Sequence, residues 1–119
     1  MSDGTGILVR PFGGEERQFL LGIDGVRALQ TKTDCGPVEL IRRYTTGSWR
    51  IDDVREALFQ GLVGGGSTQL QATVLIRDNF DNQRKGYAQF VPLAHDIVSA
   101  STFGPQDEEV DAGEPKAGV

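Results

Sequence analysis

The chain has one cysteine, one histidine, one tryptophan and no unbroken apolar run of more than four residues. Each scarcity excludes something. A membrane helix needs about 20 consecutive apolar residues, so no span is expected. The opening Met1-Ser2-Asp3-Gly4-Thr5-Gly6 lacks the basic flank and apolar stretch of a signal peptide, which places the chain, as an expectation, in the cytoplasm where it is made. Cys35 cannot form an intrachain disulfide and reads as a small packing residue. One histidine and one cysteine, sixty residues apart, cannot supply a zinc tetrad, so no metal and no cofactor are expected. A basic excess is missing too. The formal charge is −5, and residues 104–119 hold Asp107, Glu108, Glu109, Asp111 and Glu114 against Lys116, a net −4 that leaves the rest at −1. A nucleic-acid ligand would call for a basic face with several phosphate contacts, so none is expected.

What is present fits one ordinary domain. A chain of 119 residues can bury roughly 65% of its unfolded surface around a single core. Residues 1–104 read as that domain. Residues 105–119 mix Pro, Gly and acids without aromatics, and read as a flexible acidic tail. Sixteen glycines are about twice the usual share, and most fall between segments. Ile7-Leu8-Val9-Arg10-Pro11-Phe12, Gly13-Gly14, then Arg17-Gln18-Phe19-Leu20-Leu21 predicts two short strands around a tight turn. From Asp24, a candidate cap, the spacing becomes helical through Val26 and Leu29 and stops at Gly36-Pro37. A second helix follows Pro37 with Val38, Ile41 and Tyr44 at spacing three, Arg42 and Arg43 on other faces, and Gly47 as terminator. Asp52 and Asp53 suit the start of a third, whose stripe is Val54, Ala57, Leu58 and Leu62. Ser67 is the expected cap of a fourth helix carrying Ala72, Leu75, Ile76 and Phe80, with a polar loop over 81–86. The fifth holds Val91, Ala94, Ile97, Val98 and Phe103, with Pro92 starting or kinking it. The expected fold class is mainly α: an N-terminal β-hairpin over about residues 7–21, then about five short helices in a compact bundle.

Candidate sites are few. Gly61-Leu62-Val63-Gly64-Gly65-Gly66-Ser67 has the glycine spacing of a phosphate-binding loop, but Ser67 stands where the lysine must be and a helix, not a strand, precedes it. Gly64, Gly65 and Gly66 therefore read as a structural turn. His95 lacks a nucleophile, and Asp96 is expected to project elsewhere from the helix. Asp52-Asp53 reads as a helix-end pair rather than a cation site. No catalytic residue is assigned, and the chain reads as a non-enzyme. Trp49 is more in keeping with a core plug than with a contact anchor, although aromatics dominate interfaces. Arg42, Arg43, Arg50 and Arg55 cluster in sequence around it and are the partner-binding candidates, weighed against a solvated basic face.

Read as longer strings, Phe19-Leu20-Leu21-Gly22-Ile23, Val26-Arg27-Ala28-Leu29-Gln30 and Cys35-Gly36-Pro37 lead into Gly47-Ser48-Trp49-Arg50-Ile51-Asp52-Asp53-Val54-Arg55-Glu56, then the Gly61 to Gly66 stretch. Val91-Pro92-Leu93-Ala94, Ile97-Val98, Ala100 and Gly104 close the series. The combination, over roughly residues 7–104, resembles the gene-transfer-agent and phage tail protein family, whose members carry the labels tail tube protein and tail assembly chaperone. The resemblance implies one of two roles. A chaperone keeps the apolar helices of the tape-measure protein soluble during tail morphogenesis and leaves. A tube subunit stays in the virion as stacked rings built from long strands. The helical pattern favours the chaperone, with the tape-measure and other tail proteins as partners and self-association when alone. A phosphate-binding enzyme stands a distant third.

Overall fold

The computed structural model describes residues 7–104; the acidic stretch 105–119 lies outside them. Strands β1 (Leu8–Phe12) and β2 (Glu15–Phe19) pair antiparallel, with Phe12 opposite Glu15 and Leu8 opposite Phe19. Gly13 and Gly14 join them at φ of 66° and 86°, the left-handed angles that a two-residue hairpin turn with matching twist requires. Alternation places Leu8, Arg10 and Phe12 on one face with Arg17 and Phe19. Phe12 and Phe19 are buried and meet edge to face at 6.3 Å. Arg10 and Arg17 stand directly opposite, a like-charged pair that would repel. Each turns to another partner, Arg10 to Asp96 at 3.7 Å, Arg17 to Glu15 at 3.8 Å and to the Phe12 carbonyl at 3.1 Å.

Five α-helices follow: α1 (Ile23–Thr33), α2 (Pro37–Thr46), α3 (Ile51–Gly64), α4 (Gln69–Ile76) and α5 (Val91–Phe103). The expected mainly α fold with one hairpin is thus what forms, with local differences. Asp24 lies in the first turn of α1 while Gly22 occupies the cap. Asp34, at φ 60°, ends that helix before Gly36 is reached, its N–H donating to the Gln30 carbonyl at 2.8 Å. Helix α2 buries Leu40 and Tyr44 and leaves Val38 62% exposed, so its inward stripe is rotated from the one expected. Thr68, not Ser67, caps α4: its hydroxyl accepts from the Gln71 N–H at 3.0 Å and the Gln71 side chain accepts from the Thr68 N–H at 2.9 Å. The Ser67 N–H is committed to the Leu62 carbonyl. Helix α4 then widens into a π-helical turn (Arg77–Asp81), which keeps Phe80 buried, so the polar loop begins at Asn82 rather than at Asp81. A 3-10 turn (Tyr87–Phe90) leads into α5, and Pro92 sits in the first turn, where its missing N–H costs no hydrogen bond.

Helix α3 is central, packing against α1, α4, α5 and β2, and Val54, Ala57, Leu58 and Leu62 are fully buried. Its C-terminal end forms a seat for the hairpin. The Leu20 N–H donates to the Gly61 carbonyl at 3.0 Å, which lays residues 18–20 across the last turn of the helix. A Cβ on Gly61 would stand 3.2 Å from both Phe19 and Ile97. One on Gly64 would fall on the Leu20 carbonyl oxygen, and one on Gly65 on that of Gln18. These are backbone atoms, which cannot move aside. Gly66 has open space around it but a φ of 121°.

This seat orders the cost of adding one methyl group. Gly64→Ala and Gly65→Ala should each lower stability by about 2–3 kcal/mol, because they force apart packed backbone. Gly66→Ala, which meets only backbone strain, should cost about 1 kcal/mol. Urea unfolding midpoints of the three variants test the ranking, and a Gly66 variant as unstable as the others would contradict it.

Candidate functional site

The third helix begins with an acid shut off from bulk solvent. Asp53 is fully buried, and a buried carboxylate persists only when its oxygens are matched by donors. Its Oδ2 accepts the Arg50 N–H at 2.8 Å, closing the first turn of α3. Arg43, from α2, places Nη1 at 3.0 Å and 3.2 Å from the two oxygens, and the Arg50 guanidinium lies at 3.5 Å. Both arginines also bridge to α1. Arg43 Nη1 donates to the Thr33 carbonyl at 3.1 Å, and Arg50 Nη2 donates to the same oxygen. Thr33 is itself buried, its hydroxyl donating to the Leu29 carbonyl at 2.8 Å. Tyr44 completes the cluster by donating its hydroxyl to the Asp53 carbonyl at 2.5 Å. Burial, reinforced by the Asp53 charge, pushes ionisation of that phenol far above its usual range. Desolvation opposes the charge on Arg43, yet Asp53 holds the guanidinium more firmly protonated than usual.

The structure thus brings Arg43 and Arg50 onto one carboxylate and separates them from the other two candidates. Arg42 stays on the outward face of α2, 60% exposed, gripping Glu39 at 2.6 Å and 2.9 Å, and that hydrogen bond draws the Glu39 carboxyl below its usual range. Val38 sits one turn before Arg42, on the same side. Arg55 reaches from α3 to Asp81 with two bonds of 2.8 Å, tying the helix to the π-helical turn. The Arg55 hydrogen bond lowers the Asp81 pKa. Trp49 packs half-buried against the core, between the end of α2 and the start of α3. The surface left open here is Val38, Arg42, the outer part of Arg50, and Ile51, which is 42% exposed.

The Asp53 cluster is the feature that sequence reasoning missed. Asp53 looked like a helix-end acid, and it does occupy the first turn of α3. Its partner Arg43, ten residues away, carried no local signal. The glycine-rich turn after α3 has no amides to spare for a phosphate. The Gly65 N–H goes to the Gly61 carbonyl at 2.9 Å, that of Gly66 to Val63 at 3.1 Å and that of Ser67 to Leu62 at 3.0 Å. His95 and Asp96 do meet, at 3.2 Å, contrary to the expectation that adjacent helical side chains diverge, and both remain more than a third exposed. Among the described residues, no three His, Cys, Asp or Glu side chains come together as metal ligands, and no helix is long and apolar enough to cross a membrane.

A family model described as phage tail tube protein, GTA-gp10, matches residues 5–104. That span is most of the chain and contains every element described above, and the chain belongs to this phage tail family. No curated protein and no solved structure matches it.

Two ion pairs should respond differently to mutation. Asp53→Ala leaves Arg43 with only the more distant Glu39, at 3.7 Å, as counter-charge and the Arg50 N–H without its acceptor, and should clearly lower the unfolding midpoint, whereas Arg42→Ala should leave it unchanged. Equal effects would mean that the buried cluster does not organise the bundle. The Arg55–Asp81 pair is a third exposed, so after solvent screening it should contribute about 0.5–1 kcal/mol. Its folded-state carboxyl pKa is depressed, so this stability is complete above the unfolded carboxyl value of about 4. It disappears as pH falls through the lowered folded value. The stability gap between wild type and Asp81→Asn should accordingly be present at neutral pH and close in strong acid; a gap independent of pH would refute the assignment.

Proposed function

We propose that this member of the phage tail family is a tail assembly chaperone that binds the tape-measure protein during tail morphogenesis, rather than a subunit retained in the tube. The observation that carries this reading is the state of the hairpin's two edges. A tube ring built by strand pairing between subunits needs an open edge on each side. In a two-residue hairpin, Phe12 and Glu15 form the hydrogen-bonded closing pair, so Val9 and Pro11 turn their backbone polar groups outward. Pro11 has no N–H to offer, and the Val9 carbonyl accepts from the Arg10 guanidinium at 3.1 Å. On the other side, the exit of β2 lies against the glycine seat of α3. The two-stranded sheet is therefore poorly suited to adding a neighbour's strand, and no other strand forms among the described residues.

The partner surface in this reading is the region around the start of α3, with Arg42, Arg43, Arg50, Arg55 and Trp49 as candidates. Arg42 and Trp49 would meet the partner and Arg43 would hold the surface in shape. Self-association of the free protein belongs to the same reading, since a surface that covers apolar helices reversibly is seldom left bare. The second reading, a structural tube subunit kept in the particle, has in its favour the family's description as a tail tube protein.

Co-expression with the tape-measure protein of the same tail module tests the proposal. The wild type should raise the soluble fraction of the tape measure, and Arg42→Glu and Trp49→Ala should each reduce that gain while Arg42→Glu keeps the wild-type melting curve. No gain with the wild type would end the chaperone reading. Recovery of the protein from purified tails in the amount of a ring component would replace it with the tube role.

A further inference from the structure

Between the hairpin tip and the loop at 83–86 lies an open groove of about 570 Å³ that nothing in the preceding reading uses. Its floor is apolar, formed by Pro11, Phe12, Phe90 and Leu93. Its rim carries Arg84 and Lys85, and no carboxylate lines it. Both cations are exposed, and neither forms an ion pair among the described residues, which of the other basic side chains is true only of Arg27 and Lys32 on α1. The loop that presents them is pinned. The Gln83 side-chain carbonyl accepts the Lys85 and Gly86 N–H groups at 2.6 Å and 2.8 Å and the Gln89 amide at 3.2 Å.

Residues 7–104 carry as many basic as acidic side chains, so the excess acid of the chain lies outside them and is concentrated at Asp107, Glu108, Glu109, Asp111 and Glu114. We propose that the groove is the docking site for this chain's own acidic segment, residues 111–114, with Asp111 and Glu114 against Arg84 and Lys85. The reach is sufficient. Helix α5 starts at the groove and its 13 residues put Gly104 about 20 Å away. Asp111 is seven residues beyond Gly104, an extended span of about 23 Å, and Glu114 reaches further. Tethering keeps the segment at a high effective concentration beside a groove of opposite charge, so weak individual contacts suffice. The inference does not depend on the chaperone reading. It adds that any acidic partner entering this groove has to displace the chain's own segment.

Zero-length carbodiimide cross-linking of the full chain tests it, because the described residues contain only two lysines, Lys32 and Lys85, and the former lies on α1 as an internal control. Amide links from Asp111 or Glu114 should form to Lys85 several-fold more than to Lys32, within one chain, and fade in high salt. Equal yields at the two lysines would overturn the proposal as random collision. Links found only between chains, in a mixture of light and heavy isotope-labelled protein, would overturn it in favour of a second copy's segment. A measurement without lysine chemistry backs this up. In the full chain carrying Asp111→Asn and Glu114→Gln, the side-chain amide signals of Gln83 and Gln89 should shift, and an unchanged spectrum would refute docking.

Discussion

A carboxylate buried from bulk solvent sets the terms for the first three helices. Asp53 lies at the point where α3 begins, and it is satisfied only if α2 delivers Arg43 and the chain before α3 delivers Arg50. Both arginines then have donors left over, and these fall on the carbonyl of Thr33, at the end of α1. One charge thereby fixes three helix ends at once. Such a cluster contributes little net stability over an apolar alternative, but it penalises every arrangement in which a member is left alone. Its role is to select one packing of short helices whose individual propensities are modest.

The opposite end of α3 solves a different problem with no side chains at all. A hairpin of two five-residue strands is marginal in water, and this one carries two arginines face to face. It persists because Phe12 and Phe19 are buried and because its exit strand lies on bare helix backbone at Gly61, Gly64 and Gly65. Helix α3 thus works as a beam. Polar contacts secure one end and glycine contacts the other, and the apolar stripe between them meets α1, α4 and α5.

That division bears on function. Side chains that looked available for a partner are unequal: Arg43 is held inside the bundle, Arg55 is locked to Asp81, and Arg42 and Val38 remain at the surface. The glycine-rich turn, which has the glycine spacing of a phosphate-binding loop without its lysine, has its amides returned to α3. The hairpin has a proline on its free edge and helix backbone behind it. What is left for recognition is helical surface and the groove beneath the hairpin tip.

Much of this architecture was legible from residue order, because the signals are local. Gly13-Gly14 dictates a tight turn, Pro37 opens a helix and Gly47 closes one, and the stripe Val54, Ala57, Leu58, Leu62 has only one helical face to occupy. The lysine missing after the glycine run set it apart from a phosphate-binding loop. Other features were decided only when the elements met. Val38 and Leu40 are both plausible core residues of α2, and the position of Asp53 chose Leu40 by requiring Arg43 to face inward. Ser67 and Thr68 are both good caps, and the Leu62 carbonyl claimed the Ser67 N–H. Asp81 looked like loop until Arg55 gave its carboxylate a partner and the π-helical turn kept Phe80 in the core. In each case the sequence by itself determined which elements form, since turns and caps depend on neighbours along the chain. Which face of each element turns inward depended on groups ten or more residues away, and only the tertiary structure brings those within hydrogen-bonding distance.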